Sequence, residues 1–239
     1  MKLLVLQHSP WEGPGILLKK TAQKLRTELV IARVWAEPLP DFRRFAGLLI
    51  LGGGANVDQE AQYPFLIEEK RLLRAAVAAD MPCLGFCLGH QLLAQVLGAT
   101  IGPNFCSSIG FTQGHLTHDG REHPLFSGIG QTVPLFKWHA QTALEPLPKH
   151  LVVLMTSAEC QVEALSVIDR PHLIGLQFDN HAAAPEDVAL WLQKDQKWLS
   201  SLQTQDISPR AILDAAQVHA QRTAADLATL FANFLRLLR

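Results

Sequence analysis

Apolar positions fall along this chain in short dense blocks separated by glycine and proline. Residues 2–8 (KLLVLQH) form a nearly continuous apolar run, the pattern of a strand buried on both faces. Similar runs follow at 30–35, at 47–51 (GLLIL) and at 81–86 (MPCLGF). Between them the spacing changes to that of helices: Leu17, Leu18, Ala22 and Leu25 within 16–29, then Leu66, Leu72, Leu73 and Val77 within 63–79, then 88–97. Strand and helix in alternation predict a parallel sheet covered by helices.

Beyond Gly98 the helical spacing disappears. Strand-like segments at 110–117, 132–138, 151–156, 164–168 and 173–178 are divided by turn residues, which predicts a meander that extends the sheet or folds beside it. Two helices close the chain. Residues 186–202 carry Trp191, Trp198 and Leu202 near one face, and Ser208-Pro209 reads as an N-cap followed by proline at the first helical position. The last helix, 208–239, repeats Ile212, Ala216, Leu227, Leu230, Phe231, Phe234 and Leu238 at helical spacing. Its apolar face is expected to pack on the main domain, with a homodimer contact as the alternative. The organisation expected is one α/β domain over residues 1–205 and a C-terminal helical extension over 206–239.

Composition narrows the function classes. With 48% hydrophobic and 18% charged residues the chain is not disordered. Its 21 basic and 22 acidic residues give a net charge of −1, without the basic excess that nucleic-acid binding uses. No apolar run approaches the roughly 20 residues that span a bilayer. The N-terminal run is too short for a signal peptide, and Cys83, Cys87, Cys106 and Cys160 form no CxxC pair, so a reduced, cytoplasmic protein is expected. His115, His118 and His123 lie close together but lack the spacing of a zinc site. Gly52-Gly53-Gly54 matches neither phosphate-binding glycine motif, so no metal and no cofactor is expected.

The sharpest chemical signal is Gly85-Phe86-Cys87-Leu88-Gly89-His90-Gln91. It ends a buried strand and opens a helix, which puts Cys87 on a tight strand-to-helix turn that the flanking glycines permit. A thiol there lies at a helix N-terminus, whose partial positive charge favours the thiolate.

GFCLGHQLLA resembles the nucleophile segment of class I glutamine amidotransferases, in the branch that includes stand-alone relatives of the amidotransferase domain of GMP synthase. The resemblance continues in Leu51-Gly52-Gly53-Gly54 with Tyr63-Pro64-Phe65-Leu66, in His123-Pro124-Leu125-Phe126, in Phe136-Lys137-Trp138-His139 and in Gly175-Leu176-Gln177-Phe178. It covers roughly residues 1–200. It implies a flavodoxin-like α/β fold and a reaction in which a cysteine thiolate attacks the glutamine side-chain amide. A thioester forms, ammonia leaves, and water releases glutamate. On this resemblance Cys87 is the nucleophile, Gly53 and Leu88 supply oxyanion donors, and Gly54, Gln91 and His139 bind the substrate. The resemblance also implies a separate ammonia-accepting protein, since no synthetase domain follows in this chain.

One segment departs from the family. Where relatives read Gln-Phe-His-Pro-Glu, this chain reads Gln177-Phe178-Asp179-Asn180-His181. Asp179 occupies the histidine position and His181 the glutamate position. Two residues of extended chain cover at most about 6.5 Å, so His181 reaches Cys87 as a displaced base only if its loop is rebuilt. Ser108, Gln141 and Glu163 also replace residues that usually line the pocket. Three readings follow: a glutamine amidotransferase or glutaminase using His181, a hydrolase of other γ-glutamyl compounds, and a catalytically silent binding or regulatory relative.

Overall fold

The computed structural model describes residues 1–202 and 208–238. Four strands open the chain, β1 (Lys2–Gln7), β2 (Glu28–Arg33), β3 (Gly47–Ile50) and β4 (Cys83–Phe86), interleaved with helices α1 (Gly15–Lys24), α2 (Phe65–Ala78) and α3 (Leu88–Val96). Then come β5 (Thr100–Leu116), α4 (His118–Glu122), β6 (Thr132–Leu144), β7 (Leu151–Ser157), β8 (Ala164–Val167) and β9 (Arg170–Leu176). The chain closes with α5 (Pro185–Lys194), α6 (Gln196–Ser201) and α7 (Pro209–Arg236).

All these strands join one sheet in the order β2-β1-β3-β4-β9-β8-β7-β5-β6. From β2 to β9 the neighbours are parallel, and this half has the 2-1-3-4-5 order of flavodoxin-like folds with β9 as the fifth strand. The meander extends the sheet through antiparallel pairings from β9 to β6. Double-sided burial explains the near-continuous apolar runs. Leu4, Leu6, Leu48 and Ile50 face α2 and α3 on one side, while Leu3, Val5, Leu49 and Leu51 face α1 and α7 on the other. Phe231 and Phe234 of α7 share that second core with Leu84 and Phe86 of β4. The expected boundary at 205/206 lies outside the described residues. No helix among those residues is long and apolar enough to cross a membrane.

Three local expectations change. The strand expected to start at residue 110 begins at Thr100, with a register shift between Pro103 and Ser108 that accommodates the proline. His118, expected in a loop, opens the short helix α4, with the Thr117 side chain capping Gly120. The helix expected over 186–202 breaks at Asp195, whose carboxylate accepts from Trp11 Nε1 at 3.1 Å and Trp138 Nε1 at 2.9 Å. An aspartate held sideways by two indoles ends one helix and starts the next.

The carboxyl ends of β1, β3, β4 and β9 lie side by side, the place where open parallel sheets bind ligands. Every feature of the candidate site hangs from those four ends or from β6.

Candidate active site

At the end of β4, Cys87 has φ 47° and ψ −106°, a sparsely populated conformation of the kind expected at a nucleophile elbow. The flanking glycines are sterically required. A Cβ on Gly85 would lie 2.4 Å from the Gly89 carbonyl oxygen, and one on Gly89 would lie 2.2 Å from the Ile50 oxygen. Cys87 N–H donates to the Leu176 carbonyl at 2.8 Å, so β9 pins the turn. Its thiol faces the Trp138 carbonyl at 3.9 Å, and the Leu88 N–H at the start of α3 points towards its sulfur. That amide and the α3 dipole favour a thiolate. Burial and the carboxyls of Asp179 and Glu12 act more strongly in the other direction and push the thiol well above its ordinary pKa.

The end of β3 carries the Gly52-Gly53-Gly54 loop. His8, just past β1, holds it by donating from Nδ1 to the Gly52 carbonyl at 3.0 Å, while Nε2 meets Glu69 of α2 at 2.8 Å. Burial opposes charge on this imidazole, but the Glu69 carboxylate outweighs it and raises the pKa. Gly53 passes so close to the elbow that a Cβ there would lie 2.6 Å from His8 Cβ and 3.0 Å from Leu88 Cδ2. The two segments expected to supply oxyanion donors, Gly53 and Leu88, are therefore adjacent. Gly54 N–H points to the Glu12 carboxylate, which also accepts from Ser9 Oγ at 2.8 Å. Burial and the nearby Asp195 push Glu12 up to about 7.

The end of β9 brings the altered segment into place. Asp179 is fully buried, and a Cβ on Gly52 would lie 3.1 Å from its Oδ1 and 3.5 Å from Cys87 Cβ, so a carboxyl stands beside the thiol. Neither Asp179 oxygen has a hydrogen-bond partner that satisfies it, and burial with Glu12 nearby pushes its pKa well up. His181 lies in a short turn (Asn180–Ala182) with its ring packed on Phe86 at 4.5 Å and edge-on to Trp191 at 6.4 Å. Its Nδ1 is 3.9 Å from Asp179 Oδ1, and no hydrogen bond joins it to Cys87 among the described residues. Burial drops its pKa to about 3. Asn180 anchors the turn, accepting from Phe136 N at 2.8 Å and donating to the Pro134 carbonyl at 2.9 Å.

Cys87, Gly53, Gly54, Gln91 and His139 line one pocket of about 160 Å³. Gln91 donates to the Gln141 carbonyl at 2.9 Å, and His139 donates to that same oxygen from Nδ1 at 2.9 Å, leaving Nε2 buried without a partner. His90 is sealed behind the elbow against Gly175, and burial lowers its pKa to about 4. Ser108 donates to Glu159, outside the pocket lining. Glu163 pairs with Lys137 and accepts from Ser157 Oγ at 2.6 Å. His139, Cys160 and Glu163 offer ligand atoms within 4.8 Å of one another, the arrangement nearest to a metal site among the described residues. The Lys137 ammonium already fills the cation position at Glu163.

The sequence reading missed Trp11, Glu12, Asp195 and Trp198, which complete the pocket wall. Trp11 and Glu12 lie in the loop after β1, where composition signals only a turn. Asp195 carried one usable signal, its preference for helix N-cap positions.

Comparison with known proteins agrees with this architecture. The family model for glutamine amidotransferase class-I matches residues 17–181. The glutamine-hydrolysing subunit of GMP synthase from Methanothermobacter thermautotrophicus is 30% identical over 130 residues, 54% of this chain; the match spans 62% of that relative's length. The glutamine amidotransferase-like protein YfeJ of Salmonella typhimurium is 30% identical over 165 residues, 67% of this chain and 68% of that protein. A glutamine amidotransferase structure from Thermotoga maritima superposes with a TM-score of 0.86 at 23% identity, covering 100% of this chain and 98% of that one. One from Methylobacillus flagellatus gives a TM-score of 0.86 at 24% identity, covering 100% and 95%.

Proposed function

The chain belongs to the class I glutamine amidotransferase family, and from that premise we propose that it is a binding relative in which rapid glutamine hydrolysis has been lost. The observation carrying this reading is the group beside the nucleophile: the Asp179 carboxyl stands next to Cys87 where the family's chemistry requires an imidazole. A base must take the thiol proton and hand it to departing ammonia, and proton transfer of this kind contributes about 10²–10⁴-fold. Asp179 instead opposes thiolate formation, because a second negative charge beside the first is disfavoured. His181 cannot replace the base while its ring is packed on Phe86, where burial also keeps it from accepting a proton near neutral pH. The elbow, the glycine loop and the pocket remain suited to holding a small ligand.

Ammonia release from glutamine by the purified protein tests this. Wild type is expected to be slow, and the double exchange Asp179→His with His181→Glu to raise the rate by up to about 10²–10⁴-fold. Fast wild-type turnover that His181→Ala abolishes would sink the reading and restore His181 as the base. Cys87-dependent cleavage of other γ-glutamyl compounds by wild type, with glutamine left intact, would favour the hydrolase reading. The altered Gln141 on the pocket wall is the feature that argues for it.

A further inference from the structure

The charge and surface of the Cys87 pocket bear on its ligand, and this step rests on reading the pocket as a binding site. Its walls hold Trp11, Trp138 and Trp198, with Trp138 and Trp198 ring centroids 6.0 Å apart. Among the described residues every charged side chain lining it is a carboxylate, Glu12 and Asp195, with no lysine or arginine. Lys137 stands behind the wall but is committed to Glu163. His139 adds an acceptor, because the hydrogen bond from Nδ1 to the Gln141 carbonyl leaves the lone pair on Nε2, which is buried and unpartnered. Free glutamine suits this chamber poorly, since its α-carboxylate would face two carboxylates with no cation to meet it. An ammonium group suits it well. It donates to carboxylates and to an imidazole lone pair, and tryptophan faces attract cations by about 0.5–2 kcal/mol.

We propose that the pocket takes a small ligand bearing a primary ammonium group, held between the tryptophan walls and the carboxylates of Glu12 and Asp195. The burial of those carboxylates without a cation is what the ligand relieves. Glu12 is faced by His8 and Ser9 from its own loop, by Cys87 from the elbow, by Asp179 from the turn after β9, by His139 from β6 and by Asp195 from the α5–α6 junction. His8 is committed to Glu69 and the Gly52 carbonyl, so the nearest charge left to balance an ionised Glu12 is the ligand's. Since Glu12 ionises near 7, the ammonium should bind more tightly as pH rises from 6 to 8.

The indole N–H signals of Trp11 and Trp138, both bonded to Asp195, report directly on the pocket in ¹H–¹⁵N spectra. The probes are n-butylammonium, n-butanol as its neutral counterpart, butyrate as its anionic one, and L-glutamine. We expect n-butylammonium to shift both indoles and to bind at least about tenfold more tightly than either counterpart, the scale of one buried cation–π contact with an ion pair. Glu12→Gln should lower that affinity and flatten its rise with pH. Equal binding of n-butanol, tighter binding of butyrate or glutamine, or indole signals that no probe moves would each overturn the proposal on wild-type protein, without relying on the variant. The titration is independent of turnover: fast ammonia release from glutamine would remove the proposed loss of activity, whereas loss of charge selectivity would remove only the ammonium ligand.

Discussion

The elbow around Cys87 and the turn around His181 meet at Gly52, yet they are held by different forces. The elbow is set by backbone sterics. Gly85, Gly89 and the positive φ of Cys87 leave the chain one way to pass between β4 and α3. The turn after β9 is set by side chains: Asn180 ties it to β6, and His181 fills space against Phe86 and Trp191. A nucleophile's position can thus outlast its chemistry, because glycines that let the chain fold also present the cysteine. The acid–base partner has no such protection. Exchanging Asp179 and His181 against the family pattern leaves the packing intact and removes the imidazole from the thiol.

The largest effect is expected from breaking the sterically built side. Gly89→Ala forces a methyl group to within 2.2 Å of the Ile50 carbonyl, a backbone atom in the centre of the sheet that cannot swing aside. Overpacking of this kind costs about 3 kcal/mol, and urea unfolding should show it as a fall in midpoint. An unchanged midpoint would mean that the turn tolerates a shift of the α3 axis and that sterics do not define it.

The same contrast explains what was legible in the sequence. Buried parallel strands leave unbroken apolar runs, and the elbow leaves glycines at fixed offsets, so both are local patterns. The displaced pair, Asp179 and His181, was equally legible, because Gln177-Phe178 fixes its register against the family motif. The pocket's outer wall was not. Trp11 and Glu12 lie in a proline- and glycine-rich loop without period, and what matters about them is their distance from residues some 180 positions away. Asp195 interrupts a helix whose apolar spacing runs on past it, so periodicity predicts one helix where two indole hydrogen bonds make two. The early start of β5 was hidden by Gly102 and Pro103, residues that argue for a turn but here precede a register shift between paired strands.

A smaller effect is expected of Asp179→Asn, which leaves both regions folded and removes only the charge between them. A carboxyl whose pKa is raised by folding holds its proton more tightly in the native state. Its burial therefore costs stability as pH rises above 3.8, about 1.4 kcal/mol for each unit until the native group ionises. The variant should be more stable than wild type at pH 8, with the difference closing towards pH 4. It should also shift the pH profile of Cys87 alkylation by iodoacetamide to lower pH, each unit of pKa being worth about tenfold in thiolate. Alkylation profiles that superimpose would show that Asp179 does not act on the thiol and would remove the basis for a silent site.

At neutral pH the smallest effect is expected of His181→Phe. If His181 is packing rather than a base, a phenyl ring should serve against Phe86 and Trp191, and the alkylation rate of Cys87 should not change. The acid limb separates the two roles further. A histidine held at about 3 in the native state and near 6.5 when unfolded binds a proton only on unfolding between those values. Its neutral burial is therefore fully tolerated above pH 6.5 and costs up to about 1.4 kcal/mol for each unit of acidification below it. His181→Phe removes that term, so its stability should fall less steeply than that of wild type between pH 6 and pH 4. Were His181 instead a working base near the thiol, the substitution would slow Cys87 alkylation at pH 7 and leave the acid limb as steep as before. That outcome would show that the turn after β9 moves in solution to carry the imidazole to Cys87.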